Sequence, residues 1–269
     1  MLKLDTMELA DAFSPKELVD EIYRQCPDIT PPVPVKELAY AAGIIKIEPI
    51  DTESIEGMLV TGEGKEYGVI YFNKSNNRPI GRQRFTIGHE LGHFLLLHHN
   101  GNRTCSNADV SFSSYSLDTI EKEANDFSQL LLLPEHLLKK EFDSLLPSIE
   151  NLQEISDLFQ MSFEATANKC TKYGSKPFAL FYSKDDKLRY CWRDFKKVPY
   201  ALNIDKGELL PESSQARQLK VKEQSVSEEV RVQASCWFKN TEKHKLPEIM
   251  IEQTFFQKNG YKVTLLREK

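Results

Sequence analysis

The stretch Phe85–His99, FTIGHELGHFLLLHH, sets two histidines four residues apart, with a glutamate directly after the first. On a helix, positions four apart lie roughly 40° apart on one face, so the imidazoles of His89 and His93 can reach one metal ion. Glu90 lies about 100° further round and can address a water on that metal without ligating it. Two imidazole ligands beside a general base form the HExxH arrangement, whose chemistry is metal-assisted hydrolysis. The bland alternative is an amphipathic helix with one satisfied histidine and a solvated Glu90. It fits less well, because Gly92 and the apolar flanks suit a tightly packed helix.

A hydrolytic zinc site needs a third protein ligand and an open position for water. His99 stands ten residues after His89, the spacing of HExxHxxGxxH, yet Leu96 occupies the place where that pattern turns on a glycine. If the helix simply continues, His99 points away from the His89/His93 face, and His98 and His99 are ordinary helix-end residues. The segment EKEAND, residues 121–126, offers a carboxylate from a separate helix. Glu121 is the favoured ligand, since Asn125 one turn later can orient a metal-binding histidine. Its competing role is capping partner of Asp118. Glu123, two residues on, faces another side and reads as solvated.

These residues need elements to hold them. Ser14-Pro15-Lys16-Glu17 is a capping box with proline at the first helical position, and the helix it opens runs to about Cys26. CPDITPPVPV breaks it, and Val35–Ala42 forms a short helix stopped at Gly43. IIKIEPI reads as a strand, and MLVTGEGKEYGVIYFN as two strands joined by a Gly-rich turn. A sheet edge there could hold an extended peptide by strand addition. GNRTCSNADVSFSSYS is polar and loop-like, Asp118–Leu133 helical, and three shorter helical units follow to about Gly174. From Pro177 the pattern changes to strands: FALFYSKDDKLRYCW as a hairpin, VRVQASCWF as one strand, and MIEQTFFQKNGYKVTLLR as a hairpin about Asn-Gly, with a short helix in LPESSQARQL. A boundary therefore falls near residue 175.

Composition bounds the class. The 269 residues carry a formal charge of −5 and are 40% hydrophobic and 28% charged. Mean hydropathy is −0.46 and the pI near 5.8, so no overall basic field advertises nucleic acid or anionic membrane. No apolar run is long enough to cross a membrane. The acidic N-terminal stretch, with Asp5, Glu8 and Asp11, lacks a signal-peptide core. Five scattered cysteines without a CxxC fit reduced thiols, and the expected location is the cytoplasm.

RFTIGHELGHFLLLH followed by EKEANDFSQLLLLP resembles the ImmA/IrrE family of metallopeptidases, and PPVPVKELAYAAGI upstream resembles the family's opening segment. The resemblance spans roughly residues 15–173. It implies an α+β fold with a zincin-like metallopeptidase domain over 1–147 and a helix-turn-helix-like helical appendage over 148–175; the strand pattern beyond it reads as a β-rich C-terminal α/β domain over 176–269, compatible with the GAF-like domain some relatives carry there. It implies His89, His93 and Glu121 as zinc ligands and Glu90 as catalytic acid/base, though a His₂Glu site also accepts manganese or iron. It further implies a protein substrate, a helix-turn-helix repressor in stress response or mobile-element control. Phe127-Ser128-Gln129 replaces the small residues common there in the family. Tyr115, between the two ligand-bearing helices, is a candidate oxyanion stabiliser.

Two rival readings belong to other classes. LQEISDLFQMSFEATANKCTKYG has the rhythm of a DNA-reading helix pair, but its second helix offers only Lys169 and Lys172 and no arginine for guanine. That favours a structural appendage over direct DNA binding. The other rival is a ligand-sensing regulator with a metal site, against which stands the intact set of His89, Glu90 and His93.

Overall fold

The computed structural model describes residues 2–52, 54–75, 78–99, 103–106 and 118–269. The chain forms two compact units, Met1–Leu137 with Asp157–Ala165, and Leu138–Ser156 with Thr166–Lys269. It is a mixed α+β fold.

The first unit opens with helices α1 (Thr6–Ala10), α2 (Pro15–Gln25) and α3 (Val35–Ala41). The expected capping box is formed: Ser14 Oγ accepts from the Glu17 amide, and Glu17 Oε2 accepts from the Ser14 amide at 3.0 Å. Strands β1 (Ile44–Ile50), β2 (Ile55–Thr61), β3 (Gly68–Asn73) and β4 (Arg103–Ser106) make one sheet in the order β1-β3-β2-β4. β1 runs parallel to β3, and β2 antiparallel to both β3 and β4. β4 lies where the sequence reads as a loop. Its pairing along β2, with Cys105 opposite Gly57, comes from the template strand rather than from its own propensity.

Helix α4 (Ile80–Leu95) is buried without interruption from Phe85 to Leu95. The helix is covered all round, so its polar groups, Thr86, His89, Glu90 and His93, are buried along with its apolar ones. β2 and β3 pack on it, with Leu59 and Ile70 fully buried, and so does α5 (Thr119–Leu132), whose Phe127 meets Gly92. Each of these side chains contributes about 1.5–3 kcal/mol on burial. Gly92 sets how closely the helices approach: a Cβ there would lie 3.0 Å from Phe127 Cδ1 and 3.3 Å from Ala124 Cα. Lys65, in the turn between β2 and β3, donates to the His93 and Leu96 carbonyls at 2.7 and 2.9 Å. An ammonium at that end complements the helix dipole and adds to the His99 amide as a donor to the Leu96 carbonyl.

Helices α6 (Glu135–Phe142), α7 (Ile149–Phe159) and α8 (Phe163–Tyr173) follow. The rest belongs to the second unit: β5 (Phe178–Lys184), β6 (Lys187–Arg193), β7 (Ala201–Leu202), α9 (Gln215–Gln218), β8 (Ser225–Val226), β9 (Val230–Gln233), β10 (Phe238–Lys239), β11 (Ile249–Phe256) and β12 (Tyr261–Glu268). Its six-stranded antiparallel sheet runs β6-β5-β12-β11-β8, with β9 also on β11. The expected single strand VRVQASCWF is broken by a 3₁₀ turn at Ala234–Cys236. That turn sends Trp237 into the core, where its indole N–H donates to buried Glu252 at 2.9 Å. Among the described residues no helix is long and apolar enough to cross a membrane.

Candidate metal centre

Three donor atoms meet beside α4. His89 Nε2 and His93 Nε2 lie 3.0 Å apart, and Glu121 Oε2, from α5, lies 3.1 Å from the first and 3.3 Å from the second. Both imidazoles are fully buried. The N-cap of α5, Asp118, makes no side-chain cap bond, and Glu121 Oε2 faces the two imidazoles. Cys105 joins the group: its Sγ is 3.9 Å from His93 Nε2 and from Glu121 Oε2, and the four donors lie within 4.8 Å of one another. Nothing in its spacing marked this cysteine, because β-pairing delivers it.

The outer ring nitrogens decide whether these residues fit a metal. His89 Nδ1 lies 3.0 Å from Asn125 Oδ1, an acceptor, so Nδ1 carries the proton and Nε2 the lone pair. His93 Nδ1 lies 3.0 Å from Nδ1 of His99, whose Nε2 is 2.9 Å from the Glu123 carboxylate. Glu123 accepts from His99, His99 accepts from His93, and His93 is left with its lone pair on Nε2. Two imidazole lone pairs and a carboxylate facing one point form a donor set for a cation, with the outer partners fixing each tautomer.

Two expectations need correction here. α4 does not continue past Leu95: Leu96 adopts an extended conformation, the chain turns back without a glycine, and buried His99 reaches His93 instead of pointing away. Glu123 is not a solvated bystander, since it holds both His99 and His98, the latter at 2.6 Å.

Electrostatics agree with ligand-ready groups. Burial, aided by the charge of His89, lowers the His93 pKa to about 4, so the ring is neutral at pH 7. For Glu121 burial works upward, and a protonated Nε2 on either imidazole would hold the carboxyl well below its usual range; with both lone pairs turned inward, a bound cation takes that part. Glu123 is likewise held low by His99 and His98 against the effect of burial.

Glu90 is fully buried, its carboxylate set against β2. A Cβ on Gly57 would come within 2.3 Å of Glu90 Oε1 and 2.6 Å of Thr86 Cγ2, so only glycine lets the strand pass this closely. The neighbouring Glu56 pins β2 to the start of α4 through ion pairs with Arg78 and, at 3.2 Å, Arg82. Tyr115 lies outside the described residues.

An HExxH helix under a small sheet, with a glutamate supplied by the next long helix, is the architecture of a metallopeptidase domain. Residues 45–171 match the model of the M78 peptidase family, described as the IrrE N-terminal-like domain, and this match supports an ImmA/IrrE family metallopeptidase. Comparison with curated proteins gave no match. Among solved structures, a Mycobacterium tuberculosis transcriptional regulator is similar at 14% identity and a TM-score of 0.53, over 98% of this chain and 80% of that one. At that identity the likeness is one of fold.

Proposed function

We propose that this protein is a zinc-dependent endopeptidase acting in the cytoplasm on a protein substrate, a helix-turn-helix repressor, and so controlling transcription. The observation that carries the reading is the convergence of His89, His93 and Glu121, each imidazole backed by a partner that leaves Nε2 free to coordinate. These three residues would hold the metal, zinc or alternatively manganese. When bound, it would lower the pKa of a water and polarise the scissile carbonyl. Glu90 is the acid/base: a carboxylate on the same helix turn takes the water's proton and hands it to the leaving amine. Burial excludes bulk solvent from that transfer. The choice of a repressor as substrate follows the family, and the fold neighbour that is itself called a transcriptional regulator is in keeping with it. Residues 148–175 are read as the helix-turn-helix-like appendage. The β-rich unit is read as a GAF-like sensory module, in keeping with its six-stranded sheet.

The test compares new protein N-termini, by mass spectrometry, in cells expressing wild type or Glu90→Gln. The expected result is a discrete cleavage product in wild type and a loss of at least about a hundredfold in the variant, in line with removal of a general acid/base. The purified variant still binds one zinc per chain. Equal cleavage by both proteins would exclude Glu90 from the mechanism.

A further inference from the structure

The thiol of Cys105 plays no part in the mechanism above, yet it is almost fully buried against the three proposed ligands. We infer that Cys105 is a fourth metal ligand which closes the centre in the resting protein. The inference rests on the metal-centre reading. Its geometric support is a tetrahedron: with metal–nitrogen and metal–oxygen bonds near 2.0–2.1 Å and metal–sulfur near 2.3 Å, nitrogen and oxygen donors stand about 3.3 Å apart and sulfur about 3.5 Å from each. Here the nitrogen and oxygen donors are 3.0, 3.1 and 3.3 Å apart, and the sulfur is 3.9 Å from two of them. These five edges are within about half an ångström of those figures, and the sixth, from the sulfur to His89 Nε2, is no longer than 4.8 Å.

Chemistry points the same way. A buried cysteine serving only as packing sits among apolar groups, whereas this one faces a carboxylate and an imidazole nitrogen. A thiolate is the softest donor a zinc ion meets in a protein, and four protein ligands make a closed site with no position for water. Cys105 thus occupies the place that hydrolysis requires. The strand that carries it suits a removable ligand. Among the described residues β4 is four residues long, lies at the edge of its sheet, and pairs with β2 alone. Displacing it costs one short ladder and leaves β1, β2 and β3 paired. The centre is then latent with Cys105 on the metal and competent with it off.

The test loads the full chain with Co²⁺ and, separately, with Zn²⁺. Expected are near-ultraviolet thiolate-to-cobalt charge-transfer absorption and a zinc–sulfur distance of about 2.3 Å by X-ray absorption. Both signals are lost in Cys105→Ala and in the near-isosteric Cys105→Ser, while each variant still takes one ion per chain. The second variant keeps the test decisive if the first does not fold. A wild type that binds one ion through nitrogen and oxygen only overturns the inference and leaves the His₂Glu reading standing. Sulfur ligation that survives in both variants belongs to another cysteine and overturns it as well. A wild type that binds neither ion stoichiometrically removes the metal-centre reading itself, and this inference with it.

Discussion

Removing the imidazole of His99 leaves His93 with an Nδ1–H that has lost its acceptor and Glu123 with one donor fewer. Partners of this kind fix the tautomer and orientation of the ligand, so His99→Ala is expected to weaken zinc binding about 10–100-fold without changing the stoichiometry. Glu121→Ala is expected to abolish it, and competition titration against a chelator of known affinity separates the two. Acid should act through the same rings. The His93 pKa falls from 6.5 to about 4 on folding, so between those values the unfolded chain binds the extra proton. Stability of the metal-free protein therefore drops as pH falls through that window, by up to roughly 3 kcal/mol from this group. Denaturant melts should show a shallower acid dependence in His93→Gln. His89, Glu90 and His93 were readable as a set because helical spacing relates them, whereas Glu121, on a separate helix, was singled out by Asn125 one turn later and by the family resemblance. His99, Glu123 and Cys105 were not, since their roles depend on the turn at Leu96 and on a strand pairing that no local pattern encodes.

At the level of elements, the centre depends on how closely α4 and α5 pack. Gly92→Leu would force a side chain against Phe127 and Ala124, where even a Cβ is tight. Overpacking of this kind costs about 1–3 kcal/mol. Because the same movement carries Glu121 away from His89 and His93, zinc affinity should fall along with stability. A melt and a zinc titration on one preparation check both, and loss of stability with unchanged affinity would show that the spacing is not what seats the glutamate. The long elements were legible where caps and periodicity agreed, as at Ser14–Glu17 for α2 and across β11 and β12 about Asn259-Gly260. Short elements escaped. α1 has five residues and β4 has four, too few for a period to show, and β4 depends on β2 for its pairing.

For the molecule as a whole, metal should stabilise the unit that holds it. A ligand present at a hundredfold its Kd adds about 2.7 kcal/mol, which for a unit of this size raises Tm by roughly 5–10 °C. Chelation should reverse the shift in wild type and leave Glu121→Ala unmoved, as differential scanning fluorimetry would show. The make-up of that unit carries a further consequence. It consists of Met1–Leu137 together with Asp157–Ala165, and within it a Cβ on Gly81 of α4 would lie only 3.0 Å from Met161 Cα. The intervening residues 138–156 belong to the other unit. A ribosome delivers the chain in order, at about 5–20 residues per second. All the proposed ligands have therefore been translated well before the last piece that packs beneath their helix exists, and the unit cannot complete its own core until part of its neighbour has been synthesised.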